Sequence, residues 1–329
     1  MENGRGKKED GSWNKKKVIV IVGPTCSGKT YLAIKLAEIL KTEIISADSR
    51  QIYKLLNVGT AKPSREELKK VKHHFIDLLN PEEEYNVSQF EKNAEEIIGK
   101  LLVQNKIPIV VGGSGLYIKA LIDGIFDTAD KDEEYREELL EKRKEFGNEF
   151  LYKKLKEVDP ISAEKMLPQN WKRVIRALEV FHLTGKPIWQ HYESQFVSGG
   201  KKSKFNFLQF GLNWERETLY KNIDERVDRI IEAGLVEEVK NILFLGYSEN
   251  LNALNTVGYK EIISFLKNEI TLEEAINLIK RNTRHYAKRQ LTWFRKDKRI
   301  SWFDVNEFDD LNIITEKIIQ GIGEYSIEV

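Results

Sequence analysis

The sequence predicts an α/β protein, a parallel-sheet core interrupted by a helical insertion and followed by a mostly helical C-terminal part. Three observations carry that expectation. Short apolar, strand-like runs alternate with helix-periodic segments in the first part of the chain. Residues 131–156 are instead dense in Glu, Lys and Arg with helically spaced Leu and Phe. A strand-like run, FNFLQFGL, then returns at 205–212.

In chain order, residues 1–16 (MENGRGKKEDGSWNKK) are polar, charged and Gly-containing, without the apolar centre of a signal peptide, and read as a disordered leader. The run VIVIV at 18–22 is the first strand, followed by the Gly-rich stretch GPTCSGKT at 23–30. Residues 30–41 place Leu32, Ala33, Leu36, Ala37 and Leu40 on one helical stripe. EIISA (43–47) and KIPIVV (106–111) read as further strands, ending at Asp48 and at Gly112-Gly113-Ser114-Gly115. In a parallel sheet with helical crossovers, strand C-termini share one rim, so Asp48 and Ser114 are expected beside the Gly-rich loop. Residues 131–156 and 165–184 read as two long helices, the second stopped by Gly185-Lys186-Pro187. Residues 198–203 (SGGKKS) read as a flexible joint. The expected domains are therefore a core of 17–129 plus 203–329 and a helical insertion of 130–202.

Composition narrows the function classes. The 329 residues carry a net charge of +1, 41% hydrophobic and 32% charged residues, and no apolar run approaches the roughly 20 residues that span a bilayer. The single cysteine, Cys26, leaves no partner for an internal disulfide or a paired-cysteine zinc site. Adjacent His73 and His74 cannot both face one ligand on a regular element. A cytoplasmic protein is expected. Charge is unevenly spread: residues 281–299 (RNTRHYAKRQLTWFRKDKR) hold eight Lys/Arg against one Asp, with Tyr286, Trp293 and Phe294 interleaved. Such a run is either a solvated helix face or a surface where bases stack on rings and guanidinium planes.

GPTCSGKT matches G-x-x-x-x-G-K-[ST], a P-loop. Between a strand and a helix, its backbone N–H groups converge on phosphate oxygens at the positive end of the helix dipole. Lys29 adds a charge toward the outer phosphates and the Thr30 hydroxyl suits Mg²⁺. By itself the loop points to nucleotide binding, ATP above all, but it does not encode which phosphate compound is held. Cys26 reads as a small filler of the loop. Asp48 is equally a turn former and a candidate catalyst.

The order of motifs resembles the tRNA dimethylallyltransferases (tRNA isopentenyltransferases). The resemblance is carried by GPTCSGKT (23–30), IISADSRQIY (44–53), GTAKPS (59–64), HHFIDLLNPEEEYNV (73–87), PIVVGGSGLYIKAL (108–121), RVIRALEVFHLTGKP (173–187), VGYKEII (257–263) and YAKRQLTWFR (286–295). It implies a P-loop NTPase/kinase-like fold. It also implies transfer of a dimethylallyl group from dimethylallyl pyrophosphate to N6 of the adenosine beside the anticodon (tRNA position 37), in tRNAs that read codons beginning with U. The implied cofactor is Mg²⁺ on Thr30. The implied partner is the tRNA anticodon stem-loop, with no membrane, the protein acting as a monomer.

The resemblance makes Asp48 the general base, with Lys29 and Ser114 assisting. It makes Gly23, Pro24, Thr25, Cys26, Ser27, Gly28, Lys29, Thr30, Arg216 and Arg226 the pyrophosphate site. It assigns tRNA contacts to Asp48, Ser49, Arg50, Gln51 and Ser114, and to Arg136, Lys172, Arg173, Val174, Ile175 and Arg176 in the insertion. Further contacts are Asn255, Thr256, Val257, Gly258, Tyr259 and Lys260, then Lys288, Arg289, Gln290, Leu291, Thr292, Trp293, Phe294 and Arg295. Ser114 stands where the family commonly has Thr, and Asn222 where it often has Arg. The rival readings are an adenylate isopentenyltransferase making free cytokinin, an ATP-dependent small-molecule kinase, and a non-catalytic tRNA-binding protein. The first two have no use for the basic 281–299 segment, and the third none for Lys29 and Asp48 together.

Overall fold

The computed structural model describes residues 16–125, 132–197 and 203–324. Residues 1–15 of the expected leader, the expected start of the insertion at 130, and 198–202 of the expected joint lie outside them.

The chain opens with β1 (Lys17–Val22), whose residues 18–22 are completely buried. The P-loop leads into α1 (Lys29–Leu40), then β2 (Ile44–Ser46). The six-residue α2 (Arg65–Lys70) starts at a reciprocal Ser64–Glu67 capping box. Next come β3 (His73–His74) and α3 (Val87–Val103), the latter capped by Asn86 and Gln89. β4 (Ile109–Val111) and α4 (Gly115–Asp123) complete the first half of the core.

Residues 123–203 form a separate compact unit. It contains α5 (Glu133–Val158), α6 (Pro160–Glu164), α7 (Trp171–Thr184) and α8 (Ile188–Val197). Its own apolar core includes Leu139, Leu151, Leu155, Val174, Leu178 and Ile188. The fully buried Asp159 caps two helices there, accepting from Ser162 N–H at 2.9 Å and from Ile188 N–H at 3.0 Å. Residues 165–184 do not form the single helix expected. A 3₁₀ turn at Pro168–Asn170 separates α6 from α7, because proline lacks the N–H and crowds the preceding turn. The expected helix of 131–156 is interrupted at Gly147, whose φ of 80° no continuous helix accommodates.

The chain re-enters the core through β5 (Asn206–Trp214), followed by α9 (Arg216–Glu232), α10 (Leu235–Phe244), α11 (Tyr259–Leu266) and α12 (Leu272–Phe294). β6 (Ser301–Val305) and α13 (Asp310–Glu324) end the described chain. The six strands form one sheet in the order β3-β2-β4-β1-β5-β6, every pair parallel. Val18, Val20 and Val22 pack into one apolar cluster and Ile19 and Ile21 into another, the period-two signature of a strand covered on both faces. α1 and α13 lie in the second cluster, α3, α10 and α11 in the first.

Two strands escape a sequence reading. β3 is a pair of histidines that becomes a strand only by pairing with Ile44 and Ile45. β6 lies in the stretch read as mostly helical, and its half-exposed SWFDV joins the opposite edge beside β5. At the β3 edge, Glu43 meets His74, Lys72 and Lys106 at 2.8, 3.1 and 3.2 Å. Burial pushes the Glu43 carboxyl up, but those three hydrogen bonds outweigh it and hold the group at about 2.

Candidate functional site

The rim formed by the C-termini of β1, β2 and β4 carries a cavity of about 170 Å³. Its lining includes residues 25–30, Asp48, Gln51, Gly113, Arg226 and Tyr286. The loop reaches this shape through left-handed backbone at Gly23 (φ 146°), Cys26 (φ 63°) and Gly28 (φ 83°), the last being the N-cap of α1. Cys26 packs partly buried against the second apolar cluster, as a loop filler should.

Lys29 folds back to donate to the Pro24 carbonyl. Burial, the largest influence, lowers its ammonium pKa to about 8; Arg226 adds to the effect while Cys26 and Asp48 oppose it. Below that pH it presents a charge that water does not fully solvate, which favours an anionic ligand. The Ser27 hydroxyl is buried with no partner in the structure, another donor free for an oxyanion.

Two side chains from the second half of the chain complete the cradle. Arg226 on α9 donates from Nη1 to Thr25 Oγ1 at 2.8 Å and from Nη2 to Thr60 O at 3.5 Å. Gln290 on α12 accepts from Thr25 N–H at 2.8 Å and donates to Gly113 O at 3.0 Å, tying the P-loop to the loop after β4. A Cβ on Gly113 would stand 2.1 Å from Gln290 Nε2, so this clamp requires glycine there.

Asp48 follows β2. Its Oδ1 accepts from Arg50 N–H at 2.8 Å and Gln51 N–H at 3.3 Å, a turn that leaves Oδ2 uncommitted by those bonds. Ser114 Oγ accepts from Ser49 N–H at 3.1 Å, so its hydroxyl steadies the Asp48 turn and does not line the cavity. Tyr286 lines the same cavity although it is 37% exposed; its partial burial, reinforced by the nearby Asp48 charge, pushes its phenol up to about 12. His73 Nδ1 donates to Val71 O at 2.8 Å, and its buried Nε2 has no partner.

Sequence reasoning thus finds most of the cradle, but not all its members belong together. Arg216 is exposed and lies over the Tyr220 ring at 5.2 Å, away from the cavity lining. Among the residues expected to meet tRNA, Val174, Ile175, Tyr259, Phe294 and Gln290 are buried, Gly258 is buried, and Val257 and Leu291 pack against core clusters. The side chains of Val174, Ile175, Tyr259, Phe294 and Gln290 are spent on packing, because each amphipathic helix turns one face to the core. At those five positions the packing does not favour the side-chain contact with tRNA that was expected, while Val257 and Leu291 stay partly exposed. Lys288, Arg289, Thr292, Trp293 and Arg295 remain exposed on one flank of α12, as do Asn255 and Lys260 beside α11. Thr256 is half-buried. In the insertion unit Lys172 and Arg173 are exposed, Arg136 is half-buried, and Arg176 pairs with the buried Glu179 at 2.7 Å.

Tyr286, His73 and the Thr60–Ala61 backbone were missed as cavity-lining groups. All three lie within motifs shared with the family (59–64, 73–87 and 286–295), but nothing in those motifs gave them a place in the cavity. Among the described residues no three His, Cys, Asp or Glu form a metal cluster, and no helix is long and apolar enough to cross a membrane.

The family model for IPP transferase matches residues 51–297. The tRNA dimethylallyltransferase of Acetivibrio thermocellus is 47% identical over 309 residues, 94% of this chain and 96% of that protein. The one from Carboxydothermus hydrogenoformans is 47% identical over 310 residues, 93% of this chain and 97% of that protein. The crystal structure of the full-length tRNA isopentenylpyrophosphate transferase of Bacillus halodurans is similar with a TM-score of 0.69 at 39% identity, covering 95% and 98% of the two chains. A eukaryotic dimethylallyltransferase crystallised acting on tRNA is similar with a TM-score of 0.74 at 30% identity, over 89% of this chain and 75% of that one.

Proposed function

This chain belongs to the IPP transferase family, and from that premise we propose how its cavity carries out prenyl transfer to tRNA. The protein is a tRNA prenyltransferase, a tRNA dimethylallyltransferase by its relatives. The donor is dimethylallyl pyrophosphate and the acceptor is N6 of the adenosine beside the anticodon, in tRNAs reading codons that begin with U. The observation that best supports this assignment is that Lys29, Arg226 and the Asp48 carboxylate all open into one cavity. A diphosphate grip and a base in one cavity suit a reaction in which diphosphate is the leaving group.

The P-loop N–H groups, Lys29 and Arg226 bind the diphosphate and stabilise the charge that grows on it as the prenyl C–O bond breaks. Asp48 takes the proton from N6 as the C–N bond forms. Gln51 and Ser114 hold the turn that aims Asp48. Oxygen-bearing side chains lining the cavity near the loop include those of Ser27, Thr30, Ser46 and Asp48, a hard set that fits Mg²⁺ carried largely by water and phosphate oxygens. Thr30 would hold the ion, which when bound neutralises charge on the departing diphosphate. The target base must leave the anticodon-loop stack to reach Asp48, and exposed Trp293, Arg289 and Lys288 suit a surface that holds the opened loop. With tRNA as its substrate the protein acts in the cytoplasm, as a monomer.

Incubation with labelled dimethylallyl pyrophosphate and Mg²⁺ should label unmodified tRNA and leave free AMP unlabelled. Label on AMP would favour the cytokinin-type reaction, and γ-phosphate transfer from ATP a kinase. The RNA surface has its own test. Substituting Lys288, Arg289 and Arg295 together by Ala should weaken tRNA binding and lower the slope of log affinity against log salt by about 2 to 3, one unit per lost phosphate contact. An unchanged slope would leave this flank of α12 as a solvated face.

A further inference from the structure

The stretch from Asn57 to Ala61 supplies backbone groups to the cavity, and its place is set by a residue outside it. Asn57 N–H and Val58 N–H both donate to Glu238 Oε2, at 2.9 and 2.8 Å. Gly59 N–H donates to Oε1 at 3.2 Å, and the Tyr259 hydroxyl to the same oxygen at 2.6 Å. One carboxylate on α10 thus gathers four donors, three of them consecutive backbone N–H groups. Such bonds to an ionised acceptor are each stronger than a neutral pair. Tyr259 is fully buried, and a Cβ on Gly59 would lie 2.4 Å from its Cε2, so the turn's backbone rests directly on the ring.

From this turn the bonds run on into the site. Thr60 O accepts from Gln51 Nε2 at 3.2 Å and from Arg226 Nη2 at 3.5 Å, and Ala61 O accepts from Gln51 Nε2 at 3.3 Å. Gln51 is also part of the Asp48 turn, and Arg226 reaches Thr25 in the P-loop. Lys62, the next residue after the stretch, adds a second set of ties. Lys62 Nζ donates to Tyr53 O at 2.6 Å and Asn57 Oδ1 at 3.0 Å, and pairs with Asp77. Loss of Glu238 therefore frees the backbone N–H groups of residues 57–59, while Lys62 still holds Asn57 and Tyr53.

We infer that Glu238, oriented by Tyr259, is a positioning residue for the diphosphate site, setting through the 57–61 turn where Arg226 and Gln51 stand over the P-loop. The inference rests on the reading of that cavity as the prenyl-diphosphate site. Glu238 does not line the cavity and touches no reacting atom.

The test uses the full chain with Glu238→Gln and Tyr259→Phe, and reads binding of inorganic diphosphate by calorimetry, KM for each substrate, and melting temperature. Glu238→Gln keeps the volume but turns an amide toward N–H donors. It should weaken diphosphate binding and raise the donor KM about 10-fold, the scale of one lost charge-assisted hydrogen bond. KM for tRNA should stay within about twofold, and Tyr259→Phe should act in the same direction by about threefold. In an Arg226→Ala background the effect of either substitution should largely vanish, because the arm being positioned is gone. Should Glu238→Gln not fold, Tyr259→Phe carries the cycle. An additive cycle, or a lower melting temperature with donor KM unmoved, overturns the proposal. Wild-type protein that binds no diphosphate would overturn the site reading as well, whereas normal wild-type binding with unaffected variants overturns the role of Glu238 alone.

Discussion

Asp48→Asn is expected to lower kcat for prenyl transfer by about 10²- to 10⁴-fold, the range that a positioned general base supplies. Asparagine is the informative replacement. Its amide oxygen still accepts the Arg50 and Gln51 N–H bonds that Asp48 Oδ1 now holds, so the turn survives while the base is lost. Binding of inorganic diphosphate should stay within about twofold, since the proposed phosphate grip is the P-loop with Arg226. Alanine would unseat residues 50 and 51 as well and confuse geometry with chemistry. Single-turnover rates with saturating tRNA decide the matter: a rate near that of the wild type would remove Asp48 as the base.

The second large effect is expected at Lys29. Lys29→Met keeps the stem and removes the charge, and should cost about 10² to 10³ in kcat/KM for the donor, as for other preorganised groups aimed at developing negative charge. A pH signature separates this from a packing defect. The Lys29 ammonium, lowered to about 8 by burial, is charged below that pH and neutral above it. Diphosphate affinity of the wild type should therefore fall as pH rises through about 8, beyond the ligand's own ionisation. The Lys29→Met profile should show the ligand's ionisation alone. Two superimposable profiles would mean that Lys29 does not meet the diphosphate.

Much of the site is legible in the chain because its parts are local. A phosphate loop needs a strand, glycines at left-handed positions, a lysine and a helix in one short run of chain, and residues 18–40 supply all of these in order. Asp48 and Ser114 follow from a topological rule, since parallel strands deliver their C-termini to one rim. Gln290 lay within a quoted motif, but its work is different from that expected: it clamps Thr25 to Gly113. The basic α12 segment likewise divides into a buried inner face and an exposed flank, a division set by what α12 packs against.

Glu238 gives no local signal at all. It stands next to Glu237 in a helix whose charges look like a solvated face, and only folding carries Asn57, Val58 and Gly59 to its carboxylate across some 180 residues of sequence. β3 and β6 are similar cases, being strands because a neighbour offers a ladder.

The amino-acid sequence by itself therefore determined the fold class, the place of the Gly-rich loop between a strand and a helix, and the place of Asp48 on the same rim, since helix and strand periodicity, turn chemistry and strand direction are properties of short segments. Only the tertiary structure decided which distant side chains close the cavity, which basic residues stay exposed, and which carboxylate holds the 57–61 turn. Those outcomes depend on contacts between residues far apart in the chain, and local patterning does not encode such contacts.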